Sequence, residues 1–150
     1  MVTKTLDSLK DLYLADETAW LDAMAEFIRA GRLDDVDFPH LAEYLNDMAN
    51  RDRKEVSTRL RLLIMHLLKW IYQAKKRTAS WRATVVHQQA ELEDDLEGGV
   101  LRRHAEESLV AIYQRAVKYA ARETNLAAST FPKKCPWTLE QLLSAEVLGD

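Results

Sequence analysis

An all-α fold, a single-domain bundle of about five helices closed by a short C-terminal helix, is what this sequence predicts. Three observations carry that expectation. The 150 residues hold only 4 Gly and 3 Pro, far fewer than a chain of many tight turns would use. Apolar residues recur every three or four positions through most of the length. With 47% hydrophobic and 30% charged residues, the chain can build one buried core at the usual size of one domain. Residues 1–150 therefore read as one helical domain, with 1–15 as a possible flexible arm because Leu6, Leu9 and Tyr13 show only weak periodicity.

The first helix starts near Asp16, an N-cap residue followed by Glu17 where a carboxylate suits the helix dipole. Trp20, Met24, Phe27 and Ile28 form its apolar face, and Gly31 after Ala30 reads as a left-handed stop. A second start falls at Asp37, with Pro39 in the first turn where its missing N–H costs nothing. That helix carries Leu41, Tyr44, Leu45 and Met48. The stretch from Asn50 to Arg53 is polar all round and predicts a break or kink. A central helix follows over about 54–75, with Leu60, Leu63, Ile64, Leu67 and Ile71 on one buried arc, widened by Leu62 and Leu68. Thr78 or Ser80 can cap a fourth helix through Trp81, Val85, Gln88 or Gln89, Leu92 and Leu96, ended by Gly98-Gly99. A fifth runs from about Val100 to Thr124 with small residues at 105, 111, 116, 120 and 121 that let helix axes approach. Thr138-Leu-Glu-Gln141 has the form of a capping box, so a short last helix carries Leu139, Leu142 and Leu143.

Several multi-residue motifs stand out. The central helix and its exit read His66-Leu-Leu-Lys-Trp70, then Arg77, Ser80-Trp81-Arg82 and Thr84. The tail reads Thr130-Phe-Pro132, Cys135-Pro-Trp-Thr138 and Leu139-Glu-Gln-Leu-Leu143, and an early segment reads Ala30-Gly-Arg-Leu-Asp34 followed by Leu41-Ala-Glu43. In these motifs, from about Asp16 to Leu148, the chain resembles the bacterial "domain of unknown function 29" family. The resemblance implies a helical fold and no established activity. Tyr44 and Asn46 stand where that family carries acids, so no acidic site is carried over to that turn.

Charge is the most informative functional signal. The net charge of −3 hides an asymmetry: residues 56–90 hold no acid and 7 bases, net +7, between segments of net −6 and −4. On the central helix Arg59, His66 and Gln73, continued by Arg77, fall within about 40° of one another on a helical wheel. Lys69 and Trp70 flank them. Arg59, His66, Lys69, Gln73, Lys75, Lys76, Arg77 and Arg82 are therefore the candidate anion- or partner-binding residues. The competing and favoured reading pairs these bases with acids of neighbouring helices, above all the cluster Glu91 to Glu97 at a helix end where the dipole disfavours it. His66 then is a hydrogen-bonded histidine, and Trp70 and Trp81 are packing residues.

Chemistry-bearing motifs are few. The histidines His40, His66, His87 and His104 have no ligand spacing, and neither a phosphate loop nor a nucleophile elbow occurs. No catalytic residue, metal ligand or cofactor is assigned, and the balance is against an enzyme. The lone Cys135 forms no internal disulfide and fits a reducing cytoplasm. No apolar run is long enough to span a membrane. The sequence thus points to a soluble, cytoplasmic interaction or regulatory module whose partner is a protein. Two alternatives stand beside it: an enzyme using Glu43, Arg59 and His66 on an anionic substrate, and nucleic-acid binding through 69–82. The pI near 5.8 speaks against the last.

Overall fold

The computed structural model describes residues 6–149, and most of its helices begin and end at the capping signals read above. The α-helices are α1 (Leu6–Ala15), α2 (Glu17–Arg29), α3 (Phe38–Tyr72), α4 (Ala79–Asp95), α5 (Gly99–Thr124) and α6 (Leu139–Leu142), joined by 3-10 turns. Among the described residues no strand occurs. The all-α bundle is therefore the architecture. The chain divides into two compact units, with the division between Asn50 and Arg51.

The first unit holds α1, α2 and the opening turns of α3. The part of the proposed N-terminal arm before Leu6 lies outside the described residues. From Leu6 onward the chain is helical, and Leu9 is buried with Trp20, Met24 and Val36. Tyr13 packs edge-on to Trp20, with centroids 4.8 Å apart, and against His40 at 4.6 Å. Helix α2 is capped by Asp16, which accepts from the Ala19 N–H. It ends as Gly31 requires: φ is +72° there, and the Arg32 N–H closes onto the Phe27 carbonyl, the six-to-one bond of a glycine-terminated helix. Asp37 caps α3 through the His40 N–H and also holds the His40 ring at 2.7 Å. Ile28, expected on the buried face of α2, is 49% exposed because it sits in the last turn, beyond Met24.

The expected break at Asn50 to Arg53 does not occur, since α3 is continuous for 35 residues. The segment contains no Gly or Pro, and arginine and lysine are good helix formers. A stretch that is polar all round marks a solvated turn, not an end.

The second unit is built on the latter half of α3, whose Val56, Leu60, Leu63, Ile64, Leu67 and Leu68 are fully buried. Ile71, expected with them, is 43% exposed. It lies in the last turn, one residue before α3 stops, where the buried arc has already run out. Met65 and Trp70 are buried instead, so α3 is covered on more than one side. Helix α4 returns antiparallel, since Lys69 meets the Trp81 ring at one end and Arg59 meets Asp95 at the other. Helix α5 runs parallel to α3, as the pairs Ser57–His104 and Lys69–Glu123 show. Its buried residues include Ala105, Ala116 and Ala120, three of the small residues expected to let axes approach. Tyr113 is buried where the sequence reading placed no core residue, and Tyr119 is left 39% exposed. Thr78 caps α4, and Thr138 and Gln141 form both bonds of the capping box at α6. The tail is pinned by the Trp70 indole N–H to the Leu148 carbonyl, 2.9 Å, and by Gln89 to Leu142 and Ser144.

Candidate functional site

The candidate residues of the sequence reading separate into two groups. Arg59 leans toward α4 and is surrounded by acids. Its Nη2 donates to Glu55 at 2.8 Å and lies 3.7 Å from Glu91, while Nη1 donates to Gln88 at 3.2 Å. Its Nε stands 3.5 Å from Asp95 Oδ2. That last contact is a charge pairing without hydrogen-bond alignment, which leaves both buried atoms unbonded. Burial pushes the Asp95 carboxyl up from the usual carboxylate range, and Glu55, Glu91 and Asp94 push the same way against the pull of Arg59. One guanidinium thus balances several carboxylates at the C-terminal end of α4, where the dipole alone would repel them. Lys69 is likewise occupied, by Glu123 at 3.1 Å and by the face of Trp81 at 4.6 Å.

The other candidates have different duties. The His66 Nδ1–H donates to the Leu62 carbonyl one turn back, 2.8 Å. Gln73 reaches the Thr124 carbonyl at 3.5 Å. Arg77 donates from Nε to the Trp70 carbonyl at 2.7 Å with its guanidinium over the Trp70 ring. It therefore closes the C-terminal end of α3, where a cation is favoured. Lys75, Lys76 and Arg82 are exposed at the α3–α4 junction, and none makes an ion pair among the described residues. Glu43 is exposed in the first unit.

Two features were invisible to sequence windows. The first is a groove between α3 and α5. Lys54, Ser57, Thr58 and Arg61 come from α3, and Ile112 and Arg115 from α5, around a hollow of about 110 Å³. It adjoins a second hollow of about 200 Å³ lined by Arg115, Lys118, Tyr119 and Arg122. Neither lining contains a carboxylate. Ser57 Oγ is 2.9 Å from His104 Nε2, and Ser108 Oγ is 3.4 Å from His104 Nδ1. This serine–histidine pair sits mid-helix, where the neighbouring N–H groups belong to the α3 ladder and none is left to hold an oxyanion.

The second feature is an apolar cleft of about 520 Å³ between α5 and the segment after it. It is lined by Tyr113, Val117, Ala128, Phe131 and Pro132, with Gln114, Ser129, Lys118 and Lys133 completing the wall. The Tyr113 hydroxyl donates to the Pro132 carbonyl, and burial pushes its phenol up to about 12. Phe131 meets Tyr72 edge-on at 5.2 Å, which ties the cleft wall to the end of α3 just before Lys75 and Lys76. Cys135 lies four residues beyond Phe131. Burial pushes its thiol up, and its Sγ–H donates to the Trp137 carbonyl, so the lysines before it do not activate it.

Among the described residues no three His, Cys, Asp or Glu side chains converge as metal ligands, and no helix is long and apolar enough to cross a membrane. The family described as "Domain of unknown function DUF29" matches residues 12–148, and the chain belongs to it. No curated protein and no solved structure matches.

Proposed function

We propose that this member of the DUF29 family is a helical interaction module, acting as one domain in the cytoplasm, whose partner is a protein carrying carboxylates beside an apolar anchor. The cleft between α5 and the 128–133 segment carries this reading. Its apolar walls suit one large aliphatic or aromatic side chain, and buried anchors of that kind dominate binding energy. Lys118 and Lys133 in its wall, with no carboxylate in the lining, favour an acidic rim on the partner. Lys75, Lys76 and Arg82, free of ion pairs among the described residues, add attraction from the adjoining α3–α4 junction. Arg59 and Lys69 contribute little to it, because their charges are already matched.

The test is site-specific photo-crosslinking in the native cell. A photoreactive residue at Gln114 or Ser129 should give a discrete protease-sensitive adduct. The same probe at Glu93 should give none, and Lys118→Glu with Lys133→Glu should suppress the adduct. Equal labelling at Glu93, or adducts removed by nuclease instead of protease, would sink the reading.

A further inference from the structure

We propose that the groove between α3 and α5 binds small polyphosphates, with Lys54, Ser57, Thr58, Arg61 and Arg115 holding one phosphoryl group. The sequence spacing already places the α3 members together: 54, 57, 58 and 61 step along a single face at intervals of three, four and seven. Folding then brings Arg115 of α5 opposite them. Three cationic side chains meet around a hollow whose lining has no carboxylate, and none of the three makes an ion pair among the described residues. Like charges gathered without a counter-charge repel. An anion in the hollow turns that repulsion into attraction.

The donors are arranged for an oxyanion. The Arg61 guanidinium lies over the Tyr119 ring at 4.7 Å. The ring takes its face and holds it still, while the N–H edge stays free for paired hydrogen bonds to phosphate oxygens. Ser57 is fixed by His104 at 2.9 Å. With the proton on His104 Nε2, the ring donates to Ser57 Oγ and the serine O–H is free to donate into the hollow.

Size selects the ligand. A space of about 110 Å³ suits one phosphoryl group. The adjoining hollow of about 200 Å³ shares Arg115 and adds Lys118 and Arg122. Arg115 and Arg122 stand seven residues apart, about 10 Å along α5 on one face. A second and third phosphoryl group can follow that line. A nucleic-acid strand is disfavoured by the net charge of −3 and because the Tyr119 face, the ring available for stacking in this groove, is taken by Arg61. Lys118 borders both the second hollow and the partner cleft, whereas Lys54 and Arg115 line the groove and not the cleft, so substitutions at these two report on the groove alone.

Isothermal titration of the full chain at low salt tests it, using sodium tripolyphosphate, ATP and a single-stranded oligonucleotide. Saturable one-to-one binding of tripolyphosphate is expected. ATP binding more tightly would identify a nucleotide as the source of the phosphoryl groups, and equal binding an inorganic chain. Arg115→Gln should weaken binding about tenfold, the worth of one charge-assisted contact, and Lys54→Gln should weaken it by less. Both positions are exposed, so unchanged circular dichroism is expected of each variant. Lys134→Gln removes the same single charge at an exposed position that lines neither the groove nor the cleft, and should change affinity less than about twofold. Three results would overturn the proposal: no saturable binding, equal weakening by the control variant, or binding of the oligonucleotide alone.

Discussion

Arg59 and Arg61 stand two residues apart on α3 and meet opposite surroundings. Arg59 turns to α4 and is held by Glu55, Glu91 and Asp95. Arg61 turns to α5, where it has the Tyr119 ring, Lys54 and Arg115 around it and no carboxylate in its hollow. A helix places residues i and i+2 about 200° apart, so one basic segment is divided between two faces. On the α4 face charge is consumed inside the protein. On the α5 face it is left over. A count of charge along the chain cannot tell these apart, and a ligand would find only the second.

The comparison presupposes one shared core behind both faces, and the largest expected effect tests it. Leu63, fully buried, should lose about 2–5 kcal/mol of stability on truncation to Ala. Urea unfolding should show that loss at every salt concentration, since no charge is involved. A loss near zero would mean that the two faces of α3 are not backed by a common core.

Next comes Arg59→Ala. Its side chain is 21% exposed, so the expected cost is about 2 kcal/mol, below the 3–5 of a fully buried pair. The pH dependence carries a definite sign. Removing Arg59 leaves Glu55, Glu91 and Asp95 facing one another, and Asp95 already has its carboxyl raised by burial. The destabilisation should be full at neutral pH. It should shrink as the pH falls through the raised range of Asp95. Chemical denaturation at neutral and mildly acidic pH measures this. A cost that stays the same on acidification would show that Arg59 acts by packing alone.

Helices α2, α3, α4 and α6 are legible because each carries its own punctuation: Asp16, Gly31, Asp37, Thr78 and the Thr138–Gln141 box all act where the sequence places them. Helix α1 shows no such cap among the described residues, and the sequence reads it as part of an arm. The continuity of α3 is not legible, because the stretch from Asn50 to Arg53 is polar all round like a loop and yet contains no Gly or Pro and is rich in good helix formers. Ile71 was misplaced because wheel position says nothing about where the neighbouring helices stop. The groove was hidden for a related reason. Residues 91–150 sum to −4, yet Glu91 and Asp95 face Arg59, Glu123 faces Lys69 and Glu106 faces Arg102, while Arg115, Lys118 and Arg122 make no ion pair among the described residues. Ser57 and His104 are 47 residues apart, and no local spacing signals their meeting.

Tyr113→Phe sharpens the comparison at the other end of α5, where the cleft is tied by hydrogen bonding and not by charge. Losing the hydroxyl bond to Pro132 should cost about 1 kcal/mol. The phenol is held near 12 in the folded protein, above its ordinary 10.0, so the unfolded chain ionises first. The stability linked to this group is present below about pH 10 and is lost as the pH climbs toward 12. Wild type should therefore lose stability over that alkaline range more steeply than the Phe variant. Parallel curves would mean that Tyr113 is not the group responsible.

The smallest effect is the most discriminating, because its sign is unusual. Arg115 is exposed, makes no ion pair among the described residues, and shares one hollow with Lys54 and Arg61. Removing it relieves repulsion and buries nothing new, so Arg115→Gln should stabilise the protein by a few tenths of a kcal/mol, the scale of exposed charge pairs. The gain should fade as added salt screens the exposed cations from one another. It should reverse in tripolyphosphate, which binds the folded wild type and stabilises it by mass action while leaving the variant behind. Thermal melts of both proteins at low salt, at high salt and with tripolyphosphate give three differences. A stabilisation that is the same in all three would show that Arg115 feels no neighbouring charge, and the contrast between the two faces of α3 would reduce to Arg59 alone.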